Sequence, residues 1–475
     1  MKALTKRTTN RILNVCDIVW IILLTGVCMS LALNDSVWLD EAYSMRWSAF
    51  PTVKDVIGVI SPDVHPPLHY IMLHYVLKWT GGGLLWAKVF VVLGFTAMIA
   101  AGYVLSRIVG NRSIHYFFSL FAISLPFMLT KAVEIRMYSW SMAFAAWVGI
   151  FVIMVFRNNT IGSWIGLVLC ALASAYNHYY GLITMAFLYV TIGVILLINR
   201  RWDMFRRFII ASVATGIGYI PWLPTALKQV SVVNGDYWIE AKSVKDYIKD
   251  LLRVDAFPHS TKVYLLLIAI ACVLIFWWGL AKKRDVQDNL SSFACIVPFV
   301  AVYAFGYLYG VYVRPIMIAR YLMIPFVLLM IGVSVTCRYV RKWMVVIPCV
   351  FFVAMTVLIY PAVRDAEYNT HTDETLALID SEMQPEDVFA YNCGGGMGAV
   401  LPYYYPQAHI ENNFNVDDFG RTELEYTGDV WYFDQNGEIA SKQSELEAKG
   451  IEVVAKGMYG LDNVNFELFI LSYNK

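Results

Sequence analysis

The chain has 475 residues, 59 % of them apolar and only 15 % charged, with a mean hydropathy of +0.56; a soluble domain holds roughly 45–50 % apolar residues, so water is excluded as its main solvent. The net charge of +1 conceals a division, because residues 364–475 carry 21 of the 36 acidic residues but only 6 of the 37 basic ones. Neither part reads as a nucleic-acid binder: the basic residues of the first part are scattered among loops and gather on no single face.

A bilayer core about 30 Å thick needs about 20 mostly apolar residues per helix, and windows of that kind recur from Cys16 to Tyr360. The first follows Lys2, Lys6, Arg7 and Arg11 without a small-residue cleavage site, and is read as a retained helix, not a signal peptide. The pattern predicts eleven spanning helices, near 14–33, 84–106, 114–131, 137–156, 161–176, 180–199, 208–227, 261–280, 292–312, 316–336 and 343–362. The ambiguous stretch is Pro66 to Trp79, which is short and interrupted by His69, His74 and Lys78. If it lies on the surface, the clusters Arg107/Arg112, Arg157, Arg200/Arg201/Arg206/Arg207, Lys282/Lys283/Arg284 and Arg338/Arg341/Lys342 all fall on the side of the N-terminus. The positive-inside rule then makes that side cytoplasmic and the C-terminal part extracytoplasmic.

Two outer segments are long, 34–83 and 228–260. The first, with Pro51, Pro62, Pro66 and Pro67, is expected to form short surface helices; the second, with Asp236, Trp238, Lys242, Lys245 and Lys249, reads as amphipathic. Residues 1–363 are thus expected to be an all-α polytopic membrane domain and 364–475 a small α/β extracytoplasmic domain. In the tail, Val388–Tyr391, Val430–Phe433, Ile451–Ala455 and Phe466–Leu471 read as strands, with helices near 373–383, 397–404 and 440–449. Gly394, Gly395 and Gly396 stand between a strand and a helix, but CGGGMG lacks the spacing of a dinucleotide loop and any P-loop lysine, so it reads as a tight turn. Of eight cysteines only Cys393 lies in this domain, and no disulfide framework or CxxC pair is visible.

Ionisable groups beside the hydrocarbon are costly and are functional candidates by default. On the outer side they form compact groups: WLDEAYS with Asp40 and Glu41, PDVHPPLHY with Asp63 and His65, KAVEIRMY with Lys131, Glu134, Arg136 and Tyr138, YNHYYG with His178, and RPIMIARY with Arg314, Arg320 and Tyr321. Five groups at one membrane face suit a single site, with carboxylates for proton work and cations for a phosphate. Each taken alone also fits an interfacial belt of tyrosine, tryptophan and snorkelling cations.

In this order the groups resemble the GT-C membrane glycosyltransferases, particularly the bacterial family 39-like enzymes related to protein O-mannosyltransferases and lipid A aminoarabinose transferase. The likeness covers about residues 14–335 and rests on Asp40-Glu41, the DVHPPL stretch from Asp63 to Leu68, ExRxY at Glu134, Arg136 and Tyr138, His178 in HYYG, and Arg320-Tyr321 followed by Pro325. It implies transfer of a sugar from a polyprenyl-phosphate carrier to a glycan, lipid or protein acceptor on the extracytoplasmic face of the cell membrane, usually with inversion. It further implies Asp40 as general base with Glu41 beside it, Arg136, Arg320 and Lys131 toward the donor phosphate, and Asp63, His65, Glu134, Tyr138, His178 and Tyr321 in support. No metal-ligating set and no certain cofactor are assigned, with a divalent metal left open. The sequence departs from the mannosyltransferase pattern after HPPL, where His69 replaces the usual small residue and lysine. A lipid or small-molecule transporter or flippase is the chief rival, and would be expected to show internal repeats and midplane carboxylates; an outer sensor domain is a third reading.

Overall fold

The computed structural model describes residues 2–235, 238–252, 285–393, 396–411, 414, 416–417, 428–462 and 464–473. The chain forms two compact units, one of Met1–Ala32 with Phe50–Val363 and one of Leu33–Ala49 with Arg364–Lys475. The second unit thus takes up a segment from the first loop in addition to the tail.

The membrane unit is all helical. α1 (Lys2–Ala32) leads the chain; α2 (Leu39–Ser48) belongs to the other unit; α3 (Val53–Ile60) and α4 (Leu68–Thr80) complete the first long loop. α4 has 13 residues, about 20 Å at 1.5 Å per residue, too short to cross about 30 Å of hydrocarbon. Pro66 and Pro67 precede it, and Gly81, at φ +81°, ends it in the left-handed conformation that favours glycine. There follow α5 (Leu84–Val109), α6 (Ser113–Ile123), α7 (Pro126–Val133), α8 (Tyr138–Asn158), α9 (Ile161–Asn177), α10 (Tyr179–Ile198), α11 (Trp202–Tyr219), α12 (Leu223–Gly235), α13 (Val244–Leu252), α14 (Val286–Tyr312), α15 (Ala319–Thr336) and α16 (Lys342–Tyr368).

Among the described residues eight helices are long and apolar enough to cross a membrane, nine if α6 and α7 form one broken span. The expected helix near 114–131 is therefore two, meeting at 81°. Pro126 opens α7, and its ring and missing N–H cannot continue the ladder of α6. α9, with 17 residues, is a shorter apolar helix, and the span expected at 261–280 lies outside the described residues. α8 packs against α5, α9 and α15, and 83 % of the α15 window is buried against 22 % for the α11–α12 span, which puts α15 at the centre and α11–α12 at the lipid-facing periphery. Close approach needs small residues: a Cβ on Gly149 of α8 would lie 3.0 Å from Ile331 of α15.

One end of this bundle is closed by ion pairs. Asp288, fully buried in the first turn of α14, accepts from Arg157 Nε at 2.7 Å and Nη2 at 2.8 Å, and also from Tyr339 Oη and from Arg338 at 3.4 Å. Asp17 of α1 accepts from Arg112 at 2.8 Å and Tyr116 at 2.9 Å. Asp288 is thus no exposed loop acid, and the arginines that signalled topology in the sequence also tie helix ends together.

The second unit is an α/β layer. Its strands are β1 (Val388–Tyr391), β2 (His409–Glu411), β3 (Val430–Asp434), β4 (Ile451–Leu461) and β5 (Val464–Tyr473), in sheet order β2-β1-β3-β5-β4. β1 runs parallel to β2 and β3, and the other pairs are antiparallel. The helices are α17 (Thr372–Glu382), α18 (Met397–Tyr404) and α19 (Glu438–Ala448), with α2 packed on α18. All five positions of β3 are buried, as a central strand covered on both faces requires. The sheet has a fifth strand, the three-residue β2, too short to show as an apolar run; β4 and β5 outrun the expected strands because their pairing continues to the hairpin tip.

Candidate active site

In the membrane unit, the end of the bundle away from Asp288 gathers most of the groups singled out in the sequence. His65 Nδ1 lies 2.7 Å from Asp63 Oδ2, and its Nε2 lies 3.2 Å from Arg136 Nη2. A guanidinium can only donate, so in this arrangement Nε2 accepts from Arg136 and Nδ1–H donates to Asp63. Arg136 also donates to Tyr70 Oη at 3.1 Å. The arginine is 3 % exposed, so these contacts hold its orientation in a buried place. Lys131 pairs with Glu134 one turn on, at the end of α7.

Residues 134–137 turn the chain from α7 into α8, and Asn177 at the end of α9 donates to Met137 O at 2.8 Å and Ser141 Oγ at 2.7 Å. His178 follows at the corner between α9 and α10. That corner is tight: a Cβ on Gly181 would lie 2.2 Å from Ser174 O, so only glycine fits. His178 Nδ1 accepts from Tyr180 N–H at 3.0 Å, which leaves Nε2 carrying the proton, and this buried Nε2 meets no hydrogen-bond acceptor among the described residues. The Tyr138 hydroxyl is buried in the same state. Ring centres of Tyr321 and Tyr138 lie 4.7 and 5.9 Å from that of His178, and the Arg320 guanidinium lies 5.8 Å from Tyr138 and 5.9 Å from Tyr321. Lys131 Nζ stands 5.8 Å from the Tyr138 ring, so two cations lie within cation–π range of one aromatic ring.

Beside these groups is a cavity of about 240 Å³. His65, His178, Gln229 and tyrosines 179, 180, 309 and 321 supply its polar edge, and Val64, Ile183, Val230, Val233, Phe305 and Ile316 its apolar walls. Gln229 donates to Ile60 O at 3.1 Å and Ser61 O at 3.2 Å, holding α12 to the loop before Asp63. The sequence reading missed Gln229, although a lone amide in an apolar helix was a signal available to it.

Electrostatics follow from burial and from the arginines. Burial would raise the Asp63 carboxyl, but the His65 hydrogen bond, the Val64 N–H and Arg136 outweigh it and hold the group below the usual carboxylate range. Burial and then Arg136 push the His69 imidazole down to about 3. His178 is held well below the usual range, first by burial and then by Arg136 and Arg320. His69 packs fully buried against Tyr70 and Phe90, which reads as a core residue. Among the described residues no group of three or more His, Cys, Asp or Glu side chains is arranged to hold a metal ion.

Asp40 and Glu41 belong to the other unit, in the first turn of α2. Glu41 is buried, and its Oε2 accepts from Trp38 N–H at 3.3 Å, capping the helix; Asp40 is half-buried, and its carbonyl accepts from Ser44 Oγ at 3.0 Å.

No protein-family model and no curated protein matches the chain. The crystal structures of ArnT from Cupriavidus metallidurans, one in the apo state and one bound to undecaprenyl phosphate, match it with TM-scores of 0.65 and 0.64 at 12 % identity, covering 96 % of this chain and 97 % of ArnT. In fold this chain is therefore similar to ArnT, and its long apolar helices are those of a multi-pass membrane protein.

Proposed function

We propose that this protein is a membrane glycosyltransferase that moves a sugar from a polyprenyl-phosphate carrier to a hydroxyl of an envelope glycan, lipid or protein, with inversion. The observation that carries the reading is the junction of a largely apolar cavity with buried donors: His178 Nε2–H and the Tyr138 hydroxyl, without acceptors among the described residues, and Arg136 oriented by His65 and Tyr70. A cavity of this kind suits the first units of an apolar chain ending in an anion, and the similar fold of ArnT has been seen with undecaprenyl phosphate. Arg136 and Arg320, with Lys131, gather the phosphate charge, while Asp63, His65, Glu134, Tyr138, His178 and Tyr321 orient them.

In the reaction the acceptor oxygen attacks the anomeric carbon, the bond from that carbon to the phosphate oxygen breaks, and polyprenyl phosphate leaves with the electron pair. The arginines stabilise that developing charge, which makes a strong general acid unnecessary. Asp40 takes the acceptor proton, and Glu41, engaged in capping, orients the turn that carries Asp40. With purified protein and a lipid-linked sugar, Asp40→Asn is expected to lower release of polyprenyl phosphate by about 10²–10⁴-fold with donor binding kept, and Glu41→Gln by less. The reverse ranking would move the base to Glu41.

The orientation that goes with this reading puts the N-terminus in the cytoplasm and the α/β domain outside, as the basic loops suggest. A cysteine introduced at Asp285 should be protected from an impermeant thiol reagent in intact cells. Labelling there would invert the topology.

A further inference from the structure

The short segment between α1 and α2 is held by an unusual number of side chains for an exposed turn. Three consecutive residues, Asp35, Ser36 and Val37, each bond to the tail part of the α/β unit. Tyr404, at the end of α18, accepts from Val37 N–H at 2.9 Å and donates to Asp35 O at 3.3 Å. Ser36 Oγ donates to the Asp462 carboxylate and lies 3.5 Å from Thr372 Oγ1. Two residues later Trp38 N–H is taken by Glu41, so the bonded run leads into the first turn of α2, where Asp40 sits.

Each anchor is prepared by its own surroundings. Asp462 occupies the tip of the β4–β5 hairpin at φ +56°, where glycine or asparagine would be the easier residue, and its N–H donates to Thr372 Oγ1 at 2.9 Å. It is 5 % exposed, so a carboxylate has been buried where the turn alone does not ask for one. Tyr404 is kept neutral, its hydroxyl pushed far up first by burial and then by the Asp462 charge. Val37 ahead of α2, and Ala42 and Met45 within it, complete the attachment as buried side chains.

We propose that the C-terminal α/β domain is a positioning device for the turn that carries Asp40, acting through Tyr404 and Asp462 as positioning residues. This rests on the reading of Asp40 as the base, and gives the domain a part in the transfer without contact to substrate. Bound at 35, 36 and 37, the backbone has little freedom before Asp40. A base displaced by about 1 Å can cost about 100-fold in rate, so such restraint has a catalytic consequence.

The test is made on the full chain in detergent or nanodiscs. Tyr404→Phe removes only the hydroxyl; Asp462→Gly suits the positive φ and removes only the acceptor; Asp462→Asn keeps an acceptor and serves as the conservative control. Amide hydrogen exchange over residues 36–44 should rise about tenfold in Tyr404→Phe and in Asp462→Gly, and much less in Asp462→Asn. Turnover should fall about 10- to 100-fold in the first two with donor KM unchanged, and recover most of the way in the third. Unchanged exchange in a Tyr404→Phe, Asp462→Gly double variant overturns the attachment, and faster exchange with wild-type kcat overturns its catalytic purpose. Asp40→Asn is run alongside: full turnover there refutes the reading of Asp40 and the purpose of the device with it, while the exchange data judge the attachment by themselves.

Discussion

The two ends of the membrane unit bury charge in opposite ways. At one end Asp288 is fully buried and every charge near it is answered, with Arg157 in a two-pronged bond, and Arg338 and Tyr339 completing the shell. At the other end the cations Arg136 and Arg320 and the Lys131–Glu134 pair stand among histidines and tyrosines beside a cavity, and two buried donors, His178 Nε2–H and the Tyr138 hydroxyl, meet no acceptor among the described residues. A satisfied ionic cluster joins helices; donors to spare are what the proposed donor site requires. Burial alone therefore does not distinguish a structural charge from a functional one, whereas the accounting of its partners does.

The contrast breaks most visibly at Asp288. Asp288→Ala leaves Arg157 facing a void, and removal of one partner from a buried pair costs about 3–5 kcal/mol. Thermal unfolding in detergent should show that loss, while turnover per folded molecule stays near wild type; a stable but inactive variant would make this end functional after all. Arg136→Lys should do the reverse. It keeps the charge but loses the planar fork that reaches His65 and Tyr70, so donor affinity should fall about tenfold with little change in unfolding temperature. Equal donor binding in titrations would remove Arg136 from the phosphate site.

The smallest effect sharpens the comparison through pH. His69 and His178 have pKa values depressed in the folded protein, so the stability tied to their neutral forms is present above the unfolded value near 6.5 and is lost as pH falls below it. Asp63, also depressed, adds a loss only below its unfolded value near 3.8. The unfolding temperature should therefore decline between about pH 6.5 and 5, with a shallower slope in His69→Gln. An unchanged slope would mean that this histidine is solvated or charged in the native state.

Much of this was legible in the chain itself. Hydropathy marks the helices because a bilayer requires about 20 apolar residues in a row, and the alternation of short apolar runs marks β1, β3, β4 and β5 because each strand is buried on at least one face. The surface character of α4 could be inferred from the charges of loops that come later in the chain. The grouping of Asp63, His65, Arg136 and His178 was visible as motif order, since loops at the same membrane face come near one another whatever the packing between them. The break at Pro126 and the extra strand β2 were harder, because both depend on how neighbours accept a short or bent element.

What the sequence by itself determined was the solvent of each part, the kinds of element and the chemical types available at one face, all of which follow from local composition and period. Tertiary structure alone decided that Asp288 is a buried tie, that His178 keeps Nε2–H as a spare donor, and that Asp35 to Val37 are held by Tyr404 and Asp462. Ser36 is 426 positions from Asp462, and Val37 is 367 from Tyr404. No local pattern registers a partner so distant, because a hydroxyl or carboxylate has the same sequence signature whether it meets water or the backbone of another segment, and only packing decides which.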